Sequence, residues 1–151
     1  MGKLETLVFA FRNAIEAAKA NHETGYFFEN FPTGQCGHTS DMLAQFLIDN
    51  GIGPVQYFNG TYYGEDENER QSHTWLLVNS LIVDITADQF RYCSNSLKND
   101  TPVYIGPMNA YYQIFELAPG TGHVHIGLER QWTNYYELRK WYRTILSYMQ
   151  L

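Results

Sequence analysis

Basic residues are scarce in this chain of 151: Lys and Arg total 10 against 16 Asp and Glu, a formal charge of −6. A surface that neutralises phosphates needs cations to spare, so nucleic-acid binding and adhesion to anionic membranes are disfavoured. Long apolar runs are missing, and no stretch approaches the roughly 20 residues that span a bilayer. The opening residues, Met1-Gly2-Lys3-Leu4-Glu5-Thr6, lack the apolar core of a signal peptide. They match the loose N-myristoylation pattern through Gly2 and Thr6, which is set aside as chance because one acyl chain anchors only marginally. The expected compartment is the cytoplasm, with export as an effector left open. Cysteine is sparse, with only Cys36 and Cys93. A lone bridge between them is not the dense framework of a small secreted domain, so both are expected as free thiols. Repeats, low-complexity runs and linkers are absent, and the length fits one domain over residues 1–151.

What is plentiful is apolar and aromatic: 44% of residues are hydrophobic, with 12 Tyr, 9 Phe and 3 Trp. That is enough to fill a core and leave some rings for a cleft. Leu4, Leu7, Val8, Phe11 and Ile15 recur at helical spacing and predict a helix over 3–20. Residues 21–34 read as irregular. A second helix is expected over 36–50, with Met42, Leu43, Phe46 and Leu47 inward and Gly51 as its left-handed cap. Strands follow at 55–58, at 61–63 after a turn at Asn59-Gly60, at 73–78 and at 81–85. Residues 64–71 read as an acidic surface loop. Shorter strands are expected at 102–105 and 112–117, then a closing helix from Asn134, capped by Asn134 with Glu137, burying Leu138, Trp141, Tyr142, Ile145 and Met149. Helices first, then antiparallel strands, then a helix make an α+β layout.

Three residues carry a chemical signal together. Cys36 follows Phe31-Pro32-Thr33-Gly34-Gln35, where Pro32 and Gly34 break the chain, so the thiol should open a helix. Free N–H groups and the helix dipole favour thiolate there, and the same N–H groups suit an oxyanion. Gly37 keeps the approach open. If Asn79-Ser80 is a two-residue turn, Val78 faces Leu81, Leu77 faces Ile82, Leu76 faces Val83 and Trp75 faces Asp84. Alternation then places His73, Trp75, Leu77, Ile82 and Asp84 on one face, with His73 and Asp84 diagonal neighbours. Asp84 interrupts the apolar run Leu81-Ile82-Val83-Asp84-Ile85, where a carboxylate needs a partner. Cys36 as nucleophile, His73 as base and Asp84 as orienter make a catalytic triad. Gln35 is a weaker candidate for oxyanion donor, Trp75 for cleft wall, and Asp88 for a substitute acid in another register. Cys93 reads as inert.

The stretches Gly34-Gln35-Cys36-Gly37-His38 and Ser72-His73-Thr74-Trp75, followed by Val83-Asp84-Ile85-Thr86-Ala87-Asp88-Gln89-Phe90, resemble the papain-like fold in its transglutaminase-like branch. They also resemble a group of small uncharacterised bacterial proteins. The branch holds transglutaminases, protein-glutamine deamidases, some peptidases and, more distantly, arylamine N-acetyltransferases. The resemblance covers residues 31–90. It implies the three roles assigned above, a thiol hydrolase or acyltransferase without cofactor, and a protein or peptide amide such as glutamine as substrate. Two departures concern the substrate: His73 and Asp84 stand closer than in typical transglutaminases, and the tryptophan beyond the histidine strand is missing. The competing readings are a non-catalytic binding module on the same fold and a metal-dependent hydrolase using His123 and His125 with His38 or His73.

Overall fold

A computed structural model describes residues 2–149. Four helices and six antiparallel strands follow one another as α1 (Lys3–Ala20), α2 (Tyr26–Asn30), α3 (Cys36–Asp49), β1 (Val55–Tyr62), β2 (Gln71–Val78), β3 (Leu81–Asp84), β4 (Tyr104–Gly106), β5 (Glu116–Leu117), β6 (His123–Val124) and α4 (Tyr135–Ser147). The sheet order is β4-β3-β2-β1-β5, with β6 also paired to β1. The architecture is α+β, as the order of periodicities implies. No described helix is long and apolar enough to cross a membrane.

Each face of the sheet carries its own apolar layer. On one side α1, α3 and α4 bring Val8, Phe11, Ile15, Leu43, Leu47, Leu138, Trp141 and Ile145 against Val55, Leu76, Val78 and Val83. On the other, Trp75 and Ile82 pack with Phe90, Leu97, Tyr112 and Phe115, drawn from the connections after β3. Period-two alternation sorts the strands between them, so His73 and Asp84 point into the aromatic layer with Trp75 and Ile82.

The hairpin forms in the expected register, Val78 opposite Leu81, Leu77 opposite Ile82 and Leu76 opposite Val83, but the ladder stops there: Trp75 does not pair with Asp84, which pairs with Tyr104 on β4 instead. Asn79 and Ser80 both take positive φ, 53° and 64°, as the turn that matches strand twist demands. Helix α3 ends at a left-handed Gly51, φ 78°, whose N–H returns to Ile48 while that of Ile52 returns to Leu47.

Four other expectations change. Asn59-Gly60 is not a turn: β1 runs straight through it, with Gly60 opposite His73 and Leu117. A Cβ on Gly60 would stand 2.8 Å from that of Phe115, so the glycine serves a close crossing and not a bend. Residues 112–117 are not one strand: Tyr112–Ile114 is a 3-10 turn that buries the Tyr112 ring, and only Glu116–Leu117 pairs. Asn134 precedes α4 without a side-chain cap; its carbonyl accepts from Leu138 N–H instead. The irregular 21–34 segment contains α2, which buries Phe27 and Phe28.

One buried ion pair ties α1 to the segment after β3. Arg12 Nη1 and Nη2 donate to the two Asp88 carboxylate oxygens at 2.9 and 2.7 Å, and Nη1 also to the Ile85 carbonyl at 2.6 Å. The guanidinium lies 4.8 Å from the Phe31 ring centre. Removing one member of such a pair strands the other charge. We expect Asp88→Ala to lower urea-unfolding stability by about 3 kcal/mol or more. Glu16→Ala, which removes the exposed partner 2.7 Å from Arg12 Nη2, should cost less than about 1 kcal/mol.

Candidate active site

Asp84 is the last residue of β3 and 2% exposed. Its Oδ2 accepts from His73 Nε2 at 2.7 Å and from the Tyr112 hydroxyl at 2.8 Å, while Oδ1 accepts from Thr86 N–H at 3.0 Å. Burial alone would push this carboxyl up, but the charge and hydrogen bond of His73, with Thr86 and Tyr112, hold it below its ordinary value. Tyr112, buried against that charge, is pushed up and stays a donor. His73 is wholly inaccessible, boxed by the rings of Trp75, Phe90 and Phe115 at 5.3 to 5.7 Å. Burial would depress it, yet the charge and hydrogen bond of Asp84, then of Cys36, raise it to about 9.

The cysteine approaches from the helical layer. Cys36 opens α3, half-buried, so its sulfur lies where the first helical N–H groups are free. The ladder between β2 and β3 covers only Leu76–Val78, and β2 beyond it toward Gln71 meets the thiol instead. Burial pushes the Cys36 thiol up; the charge and donor of neighbouring His73, with the hydroxyl and backbone of Thr74, outweigh it and bring the thiol below its ordinary value. Asn59 Nδ2 donates to Thr74 Oγ1 at 2.8 Å, which leaves the Thr74 hydroxyl proton free to point at sulfur.

The structure therefore gathers Cys36, His73 and Asp84. Asp88 is not a substitute acid, because Arg12 holds it. Gln35 is buried with Oε1 3.0 Å from His38 Nδ1. Trp75, 1% exposed, is core and not a cleft wall. Gly37 faces the Tyr57 hydroxyl, 3.6 Å from where a Cβ would stand. Tyr57 is held protonated to about 12 by burial and by Asp41, and its ring packs between His123 and His125 at 5.3 and 6.0 Å. Cys93 is half-buried beside the aromatic layer. His125 spends both ring nitrogens, accepting at Nδ1 from Gly127 N–H and meeting Asp41 Oδ1 through Nε2, each at 2.9 Å. Among the described residues no group of three His, Cys, Asp or Glu side chains is placed to hold a metal ion.

Thr86, Tyr112, Tyr57, the Asn59–Thr74 pair and Gln89 were not legible as site residues. Thr86, two residues after an aspartate, had a local signal in the Asx-type bond it makes. Tyr112 had none, since a 28-residue separation and a 3-10 turn deliver it. No family model, curated protein or solved structure matches this chain.

The coupled groups set the pH dependence of stability with opposite signs. A raised His73 stabilises fully below its unfolded value of 6.5, and the gain is lost as pH rises through about 9. A depressed Cys36 stabilises increasingly as pH rises toward its unfolded value of 9.0. Native stability should fall less between 6.5 and 9 than that of Cys36→Ser, which keeps the His73 loss without the Cys36 gain. Urea midpoints measured against pH check this.

Proposed function

We propose that this chain is a cysteine-nucleophile enzyme of papain-like, transglutaminase-like architecture that transfers an acyl group from an amide. The observation that carries the reading is the buried His73–Asp84 pair, 2.7 Å across, set against a thiol at a helix N-terminus. Burying a charged pair for packing alone is seldom favourable, and the location next to a partly accessible cysteine gives it work to do.

In this reaction the Cys36 thiolate attacks the amide carbon, and the C=O π electrons move to oxygen. The unpaired N–H groups of the first α3 turn are suited to stabilise that oxygen. Collapse of the adduct breaks the C–N bond as the His73 imidazolium gives its Nδ1 proton to the departing nitrogen, leaving a thioester on Cys36 and neutral His73. Water or an amine, deprotonated by His73, then attacks the thioester and restores the thiolate. Asp84 keeps Nε2 protonated throughout, so Nδ1 is the nitrogen that works. The chemistry calls for no cofactor. The substrate class is a protein or peptide amide, with glutamine side chains first to test.

The complete burial of His73 favours a second reading, a binding module in which the pair is structural. Peptides bearing glutamine, assayed for ammonia release and for incorporation of a primary amine, separate the two. We expect turnover with a bell-shaped profile, rising through the depressed Cys36 value and falling through about 9 as His73 loses its proton. Cys36→Ala and His73→Ala should each lower kcat about 10³-fold or more. Activity indifferent to both substitutions rejects the enzyme reading.

A further inference from the structure

Gln89 sits between the catalytic histidine and the loop that carries the nucleophile. Its Oε1 accepts from Gly34 N–H at 3.2 Å, and its Nε2 lies 3.3 Å from His73 Nδ1. Its neighbours are anchored on both sides. Asp88 is fixed by Arg12, and Phe90 packs edge-on to the His73 ring at 5.3 Å. Gln89 also lines an open cavity of about 330 Å³ with Pro32, Thr33, Arg91 and Tyr92. One part of the side chain thus meets His73 and another meets solvent.

Counting donors and acceptors gives this bridge a specific meaning. Asp84 as a carboxylate only accepts, so His73 Nε2 carries a proton. Gly34 N–H only donates. With His73 neutral, Nδ1 accepts from the Gln89 amine and the Gln89 oxygen accepts from Gly34, so every group is satisfied. With His73 charged, Nδ1–H opposes the amine. Turning the amide over moves the conflict to Gly34 N–H, because an amide offers one oxygen and cannot serve two donors at opposite ends. The thiolate has the reverse preference, since it accepts from Nδ1–H.

We propose that Gln89 is a positioning residue whose amide contact with His73 Nδ1 favours the neutral imidazole and so works against the Cys36–His73 ion pair that Asp84 promotes. This rests on the acyl-transfer reading of the same site. Gln89 is set against Asp84 from β3 and Cys36 from α3, which both draw a proton onto His73, with Tyr112 acting through Asp84 and Tyr57 facing Cys36 from β1. Arg91 follows in the same turn as a further charge, and Asp88 is neutralised by Arg12.

The test is the rate of Cys36 alkylation by iodoacetamide against pH, with mass spectrometry separating Cys36 from Cys93. Gln89→Met removes the bond that favours neutral His73, so the midpoint should move down by about half to one unit, the equivalent of one hydrogen bond. Gln89→Asn keeps an amide but withdraws it, and should move the midpoint the same way. Gln89→Glu supplies a carboxylate that accepts from Gly34 and from the imidazolium alike, in competition with the thiolate, so the midpoint should move up. In a His73→Ala background all three substitutions should lose their effect on the midpoint, apart from the direct charge of Glu. Midpoints that stay put, or that move in one direction for Met and Glu alike, overturn the proposal and make Gln89 packing only. A native midpoint unchanged by His73→Ala instead overturns the acyl-transfer reading itself, so the two failures are distinguishable.

Discussion

The site depends on one constraint, a carboxylate that must stay charged where water does not reach. Asp84 ends a strand whose neighbours are apolar, and it points into a layer of aromatic rings. Left alone, a charge there costs several kcal/mol. The fold answers with three donors from three places: His73 from the adjacent strand, Thr86 N–H two residues on, and the Tyr112 hydroxyl from a distant turn. Once Asp84 is charged, His73 is drawn toward imidazolium, and that charge brings down the Cys36 thiol in turn. The lowered thiol at Cys36 is thus the outward expression of a buried electrostatic requirement.

The two halves of the site come from opposite layers of the sheet, and they meet because the β2–β3 ladder is short. It covers Leu76–Val78. Thr74 and His73, farther along β2, are free to receive the first turn of α3. A ladder continued to residue 73 would have met β3 and not a helix. The Arg12–Asp88 pair is what places the segment after β3 so that Phe90 closes the box around His73 and Gln89 reaches Nδ1. Stability and site geometry therefore share the same contacts.

Much of this was legible from local pattern. The hairpin register followed from a two-residue turn and period-two alternation, and it put His73 beside Asp84 without any long-range information. Cys36 opening a helix followed from Pro32 and Gly34. What escaped was non-local. Gly60 looked like a turn residue because its role, letting Phe115 cross β1, is visible only once residues 55 apart are adjacent. Tyr112 looked like a strand residue because β-propensity does not reveal a hydroxyl aimed at a buried charge. Asp88 looked interchangeable with Asp84 until Arg12, 76 residues earlier, was found on it.

The coupling between Cys36 and His73 is tested most directly by carbon NMR of the protein labelled at the cysteine Cβ, whose shift reports thiolate formation. The titration would be run on Cys93→Ser and on Cys93→Ser with His73→Ala. A Cys36 that ionises well below the unperturbed thiol value of about 8.5, and returns to that value or above it when His73 is removed, is the result expected. A Cys36 that titrates at or above that value in both proteins would contradict the ion pair and leave the buried His73–Asp84 contact without a catalytic role.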